Sequence, residues 1–403
     1  VSEIYNRRFE TTLEGLRQRH LHRAPRVLDT GVGSETRISG RNVLLFCSND
    51  YLGLAGHPAL KAAARDAVDE WGTGAGASRL VSGNLSLYRD LESDLARFKH
   101  TEAALVFSSG YATHLGVIPV LAGREDFVYS DSLNHASIVD ACRLSRAVLR
   151  VYPHGQVDTL ERLMKEDAGR GNQLVVTDTV FSMDGDLAPL QELCGLCERF
   201  DALLLVDDAH GAGVLGSNGG GALEHLGIRS PTVVHMGTFS KALGGLGGFV
   251  AGSALLVDYL VNHTRTLIYS TGLPPATLAS NRAALRVIES EPQRRLRLQN
   301  HVRVLRSGLR ALGFSVPEDP TPIIPLQVGT AEKALSLAQF LWEEDIFVPA
   351  IRPPTVPEGT SRLRISVSAA HGLNHVERLL EALRRYAGQA ATCRVAEGCG
   401  GAP

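Results

Sequence analysis

Between residues 58 and 260, short apolar runs alternate with stretches of helical periodicity, and this alternation restricts the fold more than any other feature. The runs cover 103–107, 126–130, 147–152, 173–178, 202–208 and 232–237. Helical stretches at 86–99, 110–121, 135–145, 156–167 and 189–200 lie between most of them. A strand that is apolar throughout must be covered on both faces, which is the condition of a parallel sheet in an α/β protein. Right-handed crossovers are then expected. Upstream lie a charged helix over 3–20 and an apolar run, Val43 to Cys47. Past residue 260 the pattern changes to arginine-rich helices at 274–290 and 293–312. Short strands near 322–327, 346–349 and 362–367 follow, mixed with helices at 331–343 and 373–386. The expectation is an α/β fold with a mostly parallel central sheet, helices on both faces, and a smaller C-terminal α+β domain. The expected boundaries are an N-terminal helix and connector at 1–50, a large domain at 51–290, a small domain at 291–387 and an unstructured tail at 388–403.

Forty-one lysines and arginines against 43 aspartates and glutamates leave a net charge of −2, which favours neither nucleic acid nor an acidic membrane as a partner. No apolar run reaches the 18 residues a membrane helix needs, and the first residues, VSEIYNRRFE, show no signal-peptide pattern. The six cysteines outline no disulfide framework. Cys194 and Cys197 form a lone C-x-x-C without a second pair or spaced histidines, so no metal site is expected. A cytoplasmic location is the simplest expectation.

Ligands of open α/β sheets sit beyond the carboxyl ends of the strands. Five of the six runs are followed there by polar residues that suit one ligand. Gly110 and Tyr111 follow the first and open a helix, whose free N–H groups suit a phosphate. Asn134, His135 and Ser137 follow the second, and Ser182, Asp184 and Asp186 come after the run at 173–178. Asp207, Asp208 and His210 close the run at 202–208. Thr238, Ser240 and Lys241 follow the last, before Gly244, Gly245, Gly247 and Gly248. These glycines lack the helix and acidic residue of a dinucleotide fingerprint, and no G-x-x-x-x-G-K-[ST] occurs. A phosphate seat, a carboxylate for a protonated pyridine nitrogen, an amine for an aldehyde and a flat imidazole together describe pyridoxal phosphate (PLP). Asp207 and Lys241 fall on neighbouring strand ends.

The string VDDAHGAG followed by TFSKALGGLGG resembles the α-oxoamine synthases, fold-type I PLP-dependent transferases that join an amino acid to an acyl thioester with loss of carbon dioxide. FCSNDYLGL, GAGASRLVSGN, SSGYATHLG, SLNHASIVDA and VFSMDGDLAPL carry the same resemblance, which spans about residues 20 to 387. It implies that Lys241 forms the Schiff base and shuttles a proton, that Asp207 pairs with the pyridinium nitrogen and that His210 bonds the ring's phenolic oxygen. It implies that His135 stacks on the ring and meets substrate, that Ser182 lies near the ring oxygen, and that Gly110, Tyr111 and Thr238 serve the phosphate. Ser270 and Thr271 would reach a phosphate across the interface of a homodimer with shared active sites. Asn49 would line the site, Arg352 would grip the amino-acid carboxylate, and Arg23 and Thr355 would meet the acyl substrate.

Within the family, IYSTGLPPA and AIRPPTVPEGTSRLRISVSAAH resemble the members that take L-alanine and a pimeloyl group carried by coenzyme A or acyl carrier protein. Two rival readings are a family member using glycine, serine or another acyl chain, and a non-catalytic subunit of the same fold; such a subunit would be expected to lack Lys241. One departure stands out: Tyr88 occupies a position where many relatives have histidine.

Overall fold

In the computed structural model, which describes residues 2–19 and 21–398, the chain builds three sheets. Its strands are β1 (Glu35–Ile38), β2 (Arg41–Leu45), β3 (Ala103–Phe107), β4 (Phe127–Asp131), β5 (Val148–Tyr152), β6 (Gln173–Asp178), β7 (Leu203–Asp207), β8 (Val233–Thr238), β9 (Gly248–Gly252), β10 (Ile323–Gly329), β11 (Ile346–Phe347), β12 (Ala350–Ile351) and β13 (Ser361–Ser366). The central sheet has seven strands in the order β3-β9-β8-β7-β6-β4-β5. Its neighbours from β8 to β5 are all parallel, and β9 runs antiparallel to both β3 and β8. All six apolar runs became strands, though β5, at the sheet edge, leaves Val148 and Val151 exposed rather than covered on both faces. On β7, Leu204 and Val206 face one buried cluster and Leu205 faces the other.

The strand of the central sheet passed over by the sequence reading is β9. Its glycines looked like a loop, yet they mark close approach. A side chain on Gly248 would reach within 2.3 Å of the Thr113 hydroxyl, and Gly244 turns with φ +66° where an added carbon would meet the Ala55 nitrogen at 2.5 Å. So this glycine run is packed against its neighbours.

The small sheets are β1-β2-β11 and β10-β13-β12. Strand β2 pairs in parallel with β11, about 300 residues later in the chain, and Ser366 donates its N–H to the Phe46 carbonyl. The N-terminal segment is thereby laced to the C-terminal strands. The helix expected to stop near 386 continues, spanning Leu373–Gly398. This corrects the expected tail: residues 388–398 are helical, because the stretch after Gly388 holds alanines, Glu397 and Arg394 and no proline. Residues 399–403 lie outside the described residues.

Two consecutive aspartates, Asp207 at the end of β7 and Asp208 just after it, turn apart. Asp208 is buried with Lys99, the last residue of the helix Ser86–Lys99; their charged ends are 2.9 Å apart and both side chains are 2% exposed. Lys99 also donates to the Gly220 carbonyl, while Asp208 accepts from the Thr179 hydroxyl and the Ala222 N–H. Breaking a buried pair by deleting one partner costs about 3–5 kcal/mol, since the other charge stays buried. Lys99→Met should lower unfolding stability by about that amount in urea titrations of the apoprotein; a change within about 0.5 kcal/mol, the range of ordinary surface substitutions, would show that Asp208 does not depend on Lys99.

Candidate active site

The carboxyl ends of β4, β6, β7 and β8 deliver four functional groups to one place. Asp207 is the last residue of β7 and pairs in register with Met236 of β8, and Lys241 follows three residues after β8 ends. One Asp207 oxygen accepts the Ala209 N–H at 2.9 Å. The other faces His114 Nε2 at 3.5 Å, too long for a strong bond. His114 is 1% exposed, and burial holds it neutral, down to about 4, against the pull of Asp207. Its Nε2 has no hydrogen-bond partner in the fold. Asp207 thus offers one carboxylate oxygen to a cationic N–H from outside the chain.

Lys241 Nζ lies 2.9 Å from His210 Nε2. Burial lowers the lysine below its usual value, countered by Asp207 and Asp178 and assisted by Arg364. The chain has five lysines. Lys61, Lys165 and Lys333 are exposed and Lys99 is held by Asp208, which leaves Lys241 as the buried amine whose pKa is lowered near the Asp207 carboxylate. His210 is 3% exposed and pushed well below its usual value, first by burial and then by Lys241, Arg364 and His135.

His135 caps the helix Ala136–Ser145: its Nδ1 meets the Ser137 hydroxyl at 2.7 Å and its backbone N–H donates to Asp178 at 2.7 Å. Burial keeps its ring neutral, and Asp207 and Lys241 are the charges nearest in effect. The same Ser137 hydroxyl lies 2.9 Å from His114 Nδ1, so one hydroxyl orients both imidazoles. Gly110 and Tyr111 open the helix Gly110–Leu121, capped by Ser109. A carbon added to Gly110 would sit 3.5 Å from Thr238, whose hydroxyl donates to the Gly247 carbonyl and accepts the Ser240 N–H. The helix start at Gly110 therefore stands beside the Thr238 side chain, and the N–H groups of a helix start suit an anion. The Tyr111 phenol donates to Asp140, the first cause of its raised pKa.

This donor set fits PLP: a seat for phosphate, a low-pKa amine, and a carboxylate oxygen with no strong donor of its own.

A model of the family described as aminotransferase class I and II matches residues 41–383. The 8-amino-7-oxononanoate synthase of Geobacter sulfurreducens is 51% identical over 375 residues, 93% of this chain and 96% of that protein. The chain belongs to the class I and II aminotransferases, alongside the 8-amino-7-oxononanoate synthases. Two solved structures agree. Serine palmitoyltransferase from S. paucimobilis, with bound PLP and myriocin, superposes with a TM-score of 0.90 at 30% identity, covering 96% of this chain and 98% of that one. The 8-amino-7-oxononanoate synthase of Francisella tularensis gives 0.75 at 29% identity, covering 87% and 99%. The fold-type I expectation holds, and the chain is a PLP-dependent acyltransferase of this family.

The remaining expected site residues divide into groups. Asn49 Oδ1 accepts an Arg364 N–H and lies 3.1 Å from the Tyr51 hydroxyl oxygen, and the Ser182 carbonyl accepts from Arg364, so both stand with Lys241's neighbours. Arg23, Arg352 and Thr355 line a separate cavity of ≈ 100 Å³ with Leu21, Ala350, Ile351 and Pro353. Arg23 donates to the Thr355 hydroxyl at 3.4 Å, and Arg352 is lowered by burial and by Arg23. Thr271 pairs with Ser78, and the neighbouring Leu273 N–H is bonded by the Tyr88 hydroxyl at 2.6 Å. Tyr88 is therefore a buried strut under the segment that carries Ser270 and Thr271, with the Arg79 guanidinium over its ring.

The sequence reading missed Arg364, Tyr51, His114 and Asp178. Arg364 lies on β13 of a small sheet, whereas the search looked beyond strand ends of the large one. Tyr51 and His114 sat inside quoted strings, FCSNDYLGL and SSGYATHLG, where a lone aromatic or histidine reads as core.

At the rim, His154 bridges Asp131 at 3.0 Å and Asp186 at 2.7 Å, fastening the 181–186 loop to β4. The hydrogen bond to Asp131, then that to Asp186, raises His154 from 6.5 to about 10. A raised folded pKa gives stability that is full below 6.5 and is lost as pH rises through about 10. Unfolding midpoints of wild type should therefore fall between pH 6.5 and 10 by more than those of His154→Gln; parallel falls would remove the bridge from the account.

Proposed function

We propose that the chain condenses L-alanine with a pimeloyl thioester, releasing carbon dioxide and the free thiol carrier and forming 8-amino-7-oxononanoate, a step of biotin biosynthesis. The observation that carries this reading is the pairing of a buried, low-pKa Lys241 with Asp207 on adjacent strands, in a chain 51% identical to a synthase of that name. PLP, when bound, supplies an electron-accepting ring that stabilises negative charge at the amino-acid Cα.

The chain's own residues do the rest. Asp207 holds a proton on the ring nitrogen through a charge-assisted bond, about twice as strong as a neutral one. Lys241 Nζ, its pKa lowered chiefly by burial, takes the Cα proton and later returns one. His210 orients the lysine end, and His135, neutral and fixed by Ser137, supplies a flat face and a donor for the developing ketone oxygen. Thr238 and the helix start at Gly110 and Tyr111 anchor the phosphate.

Arg364 is the stronger candidate for the alanine carboxylate. It donates to Ser182 O, Asn49, Ser366 and Tyr51, and its charge acts on both Lys241 and His210. Five guanidinium N–H groups less these four bonds leave one donor for substrate. Arg352, beside Arg23 and Thr355, suits the acyl substrate better than the carboxylate. A homodimer completes the site by bringing Ser270 and Thr271 of one protomer to the phosphate of its partner, in the cytoplasm, with no membrane or nucleic acid involved.

Thiol release measured with L-alanine, glycine and serine against pimeloyl and other acyl thioesters tests the substrate reading, and alanine with pimeloyl should be fastest. A clear preference for glycine or serine would contradict it. In the same assay Arg364→Ala should raise the KM for alanine by about tenfold or more, the value of a charged hydrogen bond, and Arg352→Ala should act chiefly on the thioester. The opposite pattern would return the carboxylate to Arg352.

A further inference from the structure

Tyr51 has a fully buried side chain in the turn after β2. Its hydroxyl oxygen has three polar neighbours: His210 Nδ1 at 2.7 Å, Asn49 Oδ1 at 3.1 Å and Arg364 Nη2 at 3.2 Å. Arginine can only donate. Arg364 Nη1 also donates to Asn49 Oδ1 at 3.2 Å, which fixes the amide with its oxygen toward the guanidinium. The Tyr51 oxygen therefore accepts from Arg364, and its single proton has two takers, Asn49 Oδ1 and His210 Nδ1. Asn49 already has its donor. His210 Nδ1 is the nearer, and a hydroxyl whose oxygen accepts from a cation becomes a better donor.

We infer that Tyr51 is a positioning residue: it donates to Nδ1 of neutral His210, fixes the ring proton on Nε2, and so makes His210 a donor toward Lys241 Nζ. The result is a chain of hydrogen bonds with one direction, Arg364 to Tyr51 to His210 to Lys241. It starts at a group that cannot accept and ends at an amine that must therefore use its lone pair. An ammonium at that end would set two donors against each other across 2.9 Å. The relay favours the neutral amine, the form that can take a proton or attack an aldehyde. Asp207 and Asp178 oppose this by favouring the ammonium, and Arg364 and burial support it. His135 is the other titratable neighbour of His210. The inference rests on the reading of Lys241 as the PLP-bearing amine only for its consequence, since the tautomer of His210 is a property of the apoprotein.

The test compares wild type, Tyr51→Phe and wild type carrying 3,5-difluorotyrosine at position 51, which keeps the shape and makes the phenol a better donor. In the apoprotein, ¹⁵N NMR of labelled histidine should show His210 with a pyrrole-like Nε2 and a pyridine-like Nδ1. Tyr51→Phe should move both resonances toward each other as the tautomers mix. The pH at which apoprotein captures PLP half-maximally should rise in Tyr51→Phe and fall in the difluorotyrosine protein. A merely structural role would not move the two in opposite directions. A wild-type His210 protonated on Nδ1, a tautomer unchanged in Tyr51→Phe, or shifts of the same sign in both variants would overturn the inference. Failure of all three proteins to capture PLP, with the NMR pattern as expected, would instead count against the assignment of Lys241 while leaving the tautomer assignment standing.

Discussion

The buried ion pair between Lys99 and Asp208 is the fixed point on which the site's geometry depends. Two adjacent carboxylates at the end of an apolar strand would repel each other and resist burial unless each has its own compensation. The pair resolves this by direction. Asp208 is drawn into the scaffold by a lysine, a hydroxyl and a backbone N–H. Asp207 keeps the other side, with one oxygen bonded by Ala209 N–H and the other facing the site. The parallel register of β7 and β8 then sets Lys241 beside it.

Around that core, neutrality is produced by burial and direction by hydrogen bonding. His114, His135 and His210 are all lowered chiefly by burial, so each acts as a fixed donor–acceptor. Ser137 aligns two of them and Tyr51 aligns the third. Fixed dipoles of this kind cost no rearrangement when charge develops during reaction. The permanent cation, Arg364, comes from β13 of a small sheet, and its neighbour Arg362 bonds Asp184 in the loop after β6. Two arginines on alternate residues of one strand thus tie the small sheet to the loop that carries Ser182.

Much of this was legible in the sequence because the large sheet obeys simple rules. Six mainly apolar runs became six strands of one sheet, and reading past their ends found Lys241, Asp207, His210 and His135. What stayed hidden has physical reasons. The strand Gly248–Gly252 uses glycine for close packing against Thr113, which looks the same in sequence as a flexible loop. Arg364 follows Arg362 in SRLRIS, and alternating arginines on a strand normally face water. Only the fold shows that both are nearly buried. Tyr88 stands where many relatives have histidine and is a strut, bonded to the Leu273 backbone. Past Gly388 the sequence to Gly398 has only Cys393 and Val395 as larger apolar residues, too few for periodicity to announce the helix.

The central claim is that one lysine of five bears the coenzyme. Borohydride reduction of the PLP-loaded protein, followed by proteolysis and mass spectrometry, locates the attachment directly. A pyridoxyl-phosphate adduct on the peptide containing Lys241, and on no other, is the result this account predicts. An adduct on Lys61, Lys99, Lys165 or Lys333 in its place, or none at all, would contradict it.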